Sequence, residues 1–171
     1  MNTNILRLLL FLLILILVQD IVIDKLPFGT YAYPALYTAF ILFLPFNYAA
    51  APTLMWAFAM GLCIDIFSMD VIGLHTAALL FMAYIRPKIL KRCAAKDDMG
   101  SSAMPSIRIL GLGMFFIYIG LSLLAYNTVL FMLDTFSVHH FQHTAIRILL
   151  STLATSILVT LLHFAVKPQR K

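Results

Sequence analysis

The residues best placed to do chemistry lie in one stretch, Gly61-Leu-Cys-Ile-Asp65, followed by Ile66-Phe-Ser-Met-Asp70-Val-Ile-Gly73-Leu74-His75. Gly61 and Asp65 are four apart and share a face if the stretch is helical. An aspartate at the end of an apolar helix is expensive unless it is paired, capped or wet. Either Asp65 or Asp70 can accept backbone N–H groups where the next helix begins, because helix N-termini favour anions. Gly73 permits the tight turn that returns the next helix against the first. His75 or Arg147 can supply a positive partner. The functional alternative is an outward cavity around Asp65 that takes a ligand or a partner helix.

A second cluster, His139, His140 and His143, reads HHxxH. On a helix, His139 and His143 would share a face, as zinc ligands can. No Glu or Cys stands beside them, and Asp134 is the only nearby acid. The cluster therefore reads as an interfacial or pH-sensitive surface rather than a metal site. His163 reads as a packed or interfacial histidine. The chain lacks GxxxxGK[ST] and HExxH, so nothing specifies a phosphate cradle or a zinc protease. No nucleophile is paired with a base, so no catalytic residue, cofactor or metal is expected. Cys63 and Cys93 are expected as free thiols on opposite sides of a membrane, too far apart for the roughly 7 Å Cα separation a disulfide allows.

The elements that must position these residues follow from composition. Of 171 residues, 63% are hydrophobic and 11% charged, and the mean hydropathy is +0.98. A soluble domain is about 45–50% apolar and about 25% charged. This balance excludes a soluble enzyme, a nucleic-acid-binding module and a disordered chain, and makes a bilayer the natural solvent. All seven acids are Asp, against 12 Lys and Arg.

Six apolar runs are long enough to consider as spans: 5–23, 31–46, 49–67, 73–90, 107–133 and 144–166. A spanning helix needs about 20 apolar residues. Runs two to four are close to the minimum, since 18 residues at 1.5 Å rise cover about 27 Å. The expected fold is thus all-α, a single polytopic membrane bundle of about six helices, with 91–105 as the one basic linker. Pro34 and Pro45 lie near the ends of the second run, and period-two alternation is absent, which argues against a β-barrel.

Orientation follows the placement of Lys and Arg. With both termini in the cytoplasm, Arg7, the group Arg86, Lys88, Lys91, Arg92, Lys96 and Arg108, and the tail Lys167, Arg170 and Lys171 all lie inside. Only Lys25 and Arg147 fall outside, with Asp20, Asp24, Asp65, Asp70 and Asp134; Asp97 and Asp98 fall inside. The basic group reads first as a topology signal and second as a holder of anionic headgroups. In the sixth run Thr152, Ser156 and Thr160 recur every four residues, with Ser151 and Thr155 widening the stripe; Gly113 and Gly120 share a face of the fifth. These are expected as helix-packing seams within the subunit or to a partner. Mid-span positions otherwise read as apolar.

A small six-span chain with a Leu/Ile-rich first helix, Gly-x-x-x-Asp-x7-Gly-Leu at Gly61, Asp65, Gly73 and Leu74, and an apolar fourth helix ending in basic residues resembles the rod shape-determining MreD family of bacteria. The resemblance covers nearly the whole chain by size and span layout, and its specific part lies within Gly61–Tyr84. It implies a non-catalytic inner-membrane component of the elongation machinery (elongasome), supporting cell shape and lateral peptidoglycan synthesis. Its implied partners are the bitopic MreC, bound directly, with MreB, RodA and a class B penicillin-binding protein in the same complex. The bilayer is the solvent, and a homo-oligomer stays open. It also implies a fold similar to the substrate-binding subunits of energy-coupling-factor vitamin transporters, and such a subunit is the alternative function. Those subunits typically dock through Ala-x-x-x-Ala on the first helix, whereas Ile5–Ile23 contains neither Ala nor Gly. A membrane enzyme, the third class, would need paired polar groups at mid-bilayer depth.

Overall fold

The computed structural model describes residues 3–19, 33–68, 71–95, 102–134 and 141–165. Among them every regular element is helical: α1 (Thr3–Val18), α2 (Thr38–Leu42), α3 (Ala50–Phe67), α4 (Leu74–Cys93), α5 (Ile107–Leu110), α6 (Leu112–Asp134) and α7 (Phe141–Ala165). Three stretches are long and apolar enough to cross a membrane, Ala50–Phe67, Leu112–Asp134 and His143–Ala165. This is the composition of a membrane protein. The outward faces agree, since Leu13, Ile14, Phe58, Phe116, Leu153 and Ile157 are all exposed, which lipid tolerates and water does not.

α3 and α4 form an antiparallel hairpin, α4 packs against α6, and α6 against α7. Paired contacts fix the directions. His75 and Arg86 of α4 meet Tyr126 and Tyr118 of α6, so these helices are antiparallel. Asn127 meets Thr152, and Phe115 stacks near His163, so α6 and α7 are antiparallel too.

The second apolar run departs from its expected form. It is not a spanning helix: residues 33–46 hold only the five-residue α2, about 7.5 Å of helix at 1.5 Å per residue, flanked by turns and extended backbone. Nevertheless Ala35 through Leu44 are buried without a break. This segment is the axis of the bundle. Non-helical backbone in an apolar interior must find partners, and here side chains from surrounding elements provide them. The Tyr33 N–H donates to Ser151 Oγ (2.9 Å) and the Ala35 N–H to Thr155 Oγ1 (3.1 Å). Gln19, at the end of α1, accepts from the Leu36 N–H (2.9 Å) and donates to the Pro34 carbonyl (3.0 Å). At the other end Tyr118 donates to the Leu42 carbonyl (2.8 Å). Arg86 donates to Tyr118 (3.1 Å) and to the carbonyls of Leu44 and Pro45.

Three other expectations are corrected. Arg86 is not an interfacial topology charge; it is 2% exposed and committed to those carbonyls. The fifth run is not one helix from 107. Gly111 adopts φ +76° and separates α5 from α6. Mid-helix positions are not apolar throughout, because Ser122, Tyr126 and Asn127 of α6 are buried. α1, α3, α4 and α7 lie within or overlap the first, third, fourth and sixth apolar runs. The ends of runs one and two facing each other, and Lys25, Lys96, Asp97, Asp98 and the 167–171 tail, lie outside the described residues.

The Arg86 assignment makes a direct prediction. Leaving a buried carbonyl or hydroxyl unpaired costs roughly 1–3 kcal/mol. Arg86→Leu should therefore lower the thermal unfolding midpoint in detergent more than Lys88→Leu, whose ammonium reaches only the exposed Tyr84 hydroxyl. Equal shifts would show that Arg86 does not hold the axis.

Candidate functional site

α3 ends at Phe67, and α4 starts at Leu74 after a turn in which Gly73 sits at φ +98°. A side chain there would strain the backbone by about 1–2 kcal/mol. Further back in α3, Gly61 lets the helices touch, because a Cβ added to it would run into the Cα of Thr76. That close approach carries Asp65 to the start of α4. Its Oδ2 accepts the N–H groups of Gly73 (2.9 Å) and Thr76 (3.2 Å) and the Thr76 hydroxyl (2.6 Å). Its Oδ1 accepts the His75 N–H (2.8 Å). Asp65 is 1% exposed, yet four donors surround it at the positive end of a helix.

The structure thus brings Gly61, Asp65, Gly73 and Leu74 into one elbow, with Asp65 at the start of α4. Asp70 lies outside the described residues. The expected positive partner is absent from the Asp65 bonds. His75 and Arg147 both point elsewhere, and uncharged donors fixed by the helix serve the carboxylate instead. Bringing a cation in as well would add its own desolvation penalty.

His75 turns its Nδ1 to two phenols, Tyr37 Oη at 2.9 Å and Tyr126 Oη at 3.1 Å, which lie 2.5 Å from each other. This three-way contact joins α4, α6 and the axial segment directly beneath the elbow. Sequence reasoning missed Thr76, Tyr37 and Tyr126. The signal for Thr76 was its place in the first turn after Gly73, where a hydroxyl can reach back to an anion. The signal for Tyr126 was its polar neighbour Asn127 deep in an apolar run.

Beside this triad, on the elbow side, is a cavity of about 230 Å³ lined by Tyr33, Leu74, His75, Asp134 and Arg147 among others. Arg147 approaches Asp134 at 3.4 Å. The turn itself presents Ile66, Phe67, Val71 and Ile72 outward, Ile72 being 76% exposed.

The other sequence-singled residues fall elsewhere. Thr152 accepts from Asn127 Nδ2 (3.0 Å) across the α6–α7 contact. Ser156 and Thr160 donate within their own helix, to Leu153 and Ser156 carbonyls. The hydroxyls that bond across to the axis are Ser151 and Thr155. Gly113 and Gly120 face open space. His163 packs among Phe43, Phe115 and Phe164. Both cysteines are free. His139 and His140 lie outside the described residues, and among those described no three metal-binding side chains gather.

Compared with protein-family models, curated proteins and solved structures, the chain matches none of them.

The elbow predicts an order of substitution effects. Gly61→Ala should destabilise more than Gly73→Ala, because the first collides with backbone while the second meets only conformational strain of about 1–2 kcal/mol. Thermal unfolding of both variants in one detergent checks it, and a reversed order would refute the close α3–α4 contact.

Proposed function

We propose that this chain is a non-catalytic scaffold in the bacterial inner membrane, of the MreD kind, that binds MreC and helps position the elongation machinery for cell-shape maintenance and lateral peptidoglycan synthesis. MreB, RodA and a class B penicillin-binding protein would share the complex. The observation that carries this reading is the elbow. Asp65 spends its acceptors on Gly73, His75 and Thr76, which fixes the start of α4 against the end of α3, and Ile66, Phe67, Val71 and Ile72 beside it are exposed as an apolar knob. A fixed apolar surface suits a partner helix, since a pre-ordered surface loses little entropy on binding.

The proposed topology is six passes with both termini in the cytoplasm. Helix directions support it. α1 runs toward the elbow, where Gln19 meets Leu36, and the axial segment runs back toward Arg86. α3, α4, α6 and α7 then alternate, so that the start of α1, the linker and the end of α7 point the same way. At that end Lys88, Lys91, Arg92 and Arg108 are exposed, the pattern of a cytoplasmic face. Burial of Arg86 removes one charge from that count and leaves the asymmetry intact. A carboxyl-terminal reporter found exported would overturn the topology.

The partner claim is tested by affinity purification of the full chain with mass spectrometry. Recovery of MreC with wild type, and its loss with Ile66→Ser/Ile72→Ser at unchanged expression and thermal stability, would support the elbow as the docking point. Undiminished recovery with that variant and with Asp65→Ala would remove the elbow from the proposal. Recovery of an ATPase pair and a coupling subunit instead would favour the transporter subunit.

A further inference from the structure

The cavity beneath the elbow is not used by the scaffold reading, and its chemistry is specific. Arg147 lies two turns into α7, inside the apolar stretch His143–Ala165, where an ionisable side chain is expensive. Its guanidinium lies over the Phe131 ring, with Cζ 4.6 Å from the centroid. A single long contact of 3.4 Å links it to Asp134. Its Nε is buried and has no hydrogen-bond partner among the described residues. A guanidinium carries five donors in a planar fork suited to phosphate or carboxylate; among the described residues Asp134 engages only Nη1 of this one, and the side chain lines the cavity.

The neighbouring charge narrows the ligand. Asp134 makes the site neutral as a whole, so a bare anion gains at Arg147 and loses at Asp134. A zwitterion gains at both. Val71, Leu74, Leu130 and Phe131 add apolar lining to the same cavity, suiting a short aliphatic link. At about 230 Å³ the cavity falls below the roughly 300–1,000 Å³ of sites for drug-sized molecules, so it fits a headgroup rather than a vitamin.

We propose that this cavity binds a small zwitterion with an oxyanion on Arg147 and an ammonium on Asp134, phosphoethanolamine being the simplest. The source is either a phosphatidylethanolamine headgroup or a free solute of the same chemistry. The inference does not rest on the scaffold reading, because it concerns the Arg147–Asp134 pair; Val71 alone belongs to both the cavity lining and the exposed knob.

The test uses the purified full chain. After delipidation it is offered equal phosphatidylethanolamine and phosphatidylglycerol, and the retained lipid is read by native mass spectrometry. O-phosphoethanolamine is titrated separately by calorimetry. Preferential retention of phosphatidylethanolamine, falling about tenfold in Arg147→Gln as expected for one charge-assisted contact, supports the lipid source. Asp134→Asn should shift the preference to phosphatidylglycerol. Binding of O-phosphoethanolamine with no lipid preference assigns the solute source. Val71→Trp narrows the mouth at an exposed position and guards against misfolding of the charge variants; with an unchanged unfolding midpoint it should also reduce retention. Phosphatidylglycerol preferred by wild type, retention indifferent to Arg147→Gln and Val71→Trp, or no binding of either probe would overturn the proposal.

Discussion

Backbone polar groups cannot be left unpaired in an apolar interior, and in this molecule that constraint falls hardest on the segment from Tyr33 to Phe46. A helix satisfies its own N–H and C=O groups; an interrupted chain cannot. Several open groups on the axis are met by side chains from other elements. Ser151 and Thr155 come from α7, Gln19 from the end of α1, Tyr118 from α6 and Arg86 from α4. Apolar burial gives lipid-embedded helices little preference for one another over lipid. Register must therefore come from packing and polar bonds, and the axis supplies bonds to four helices at once. Sliding any one of them would orphan a buried group at roughly 1–3 kcal/mol.

The two buried charges obey one rule at opposite ends. Asp65 takes N–H groups at the start of α4, and Arg86, twenty-one residues on in sequence, takes carbonyls where the axis leaves α2. Among the described residues neither uses an ion-pair partner. An ion pair in this interior would require two desolvations offset by one attraction. Backbone groups are already buried and already need partners, so each charge satisfies groups that would otherwise be unpaired. The arrangement also explains the tight helix contact at Gly61. Without it Thr76 and its N–H would sit too far from Asp65 to be reached.

The long helices and the elbow were legible because their causes are local. Apolar length gives α3, α6 and α7, and the four-residue spacing of Gly61 and Asp65, followed by a positive-φ glycine, gives an acid delivered to a helix start. The interrupted second pass was not legible from hydropathy, which measures transfer from water and is indifferent to whether the backbone is helical. Its clues were Pro34 and Pro45, which remove donors at both ends, and a surplus of hydroxyls on α7 facing inward at Ser151 and Thr155. Read as a packing seam, that stripe was placed on the 152–156–160 face. The bonds to the axis lie on the neighbouring 151–155 face, because they answer to the geometry of the interrupted segment and not to a partner helix. Arg86 was misread for a related reason. Charge counting assigns every arginine near a helix end to the membrane surface, but a long side chain can turn inward when carbonyls wait there.

Rigidity separates the two ends functionally. The linker end is closed by Arg86 and by a backbone bond from Phe46 to Ala103 (3.0 Å), and its outer surface is cationic. The elbow end holds three features within a few turns of one another: a pinned turn, an exposed apolar knob and a partly open cavity with an under-used guanidinium. Moving the start of α4 against α3 would break up to four bonds to one carboxylate together. The cavity differs, since its Arg147–Asp134 contact is long and half-exposed, the weakest class of ion pair. A ligand group can therefore separate these side chains at little cost while the elbow beside them stays fixed. That is the physical basis for proposing a partner surface at the elbow and small-molecule recognition at the Arg147–Asp134 pair, as two properties of one end of the bundle.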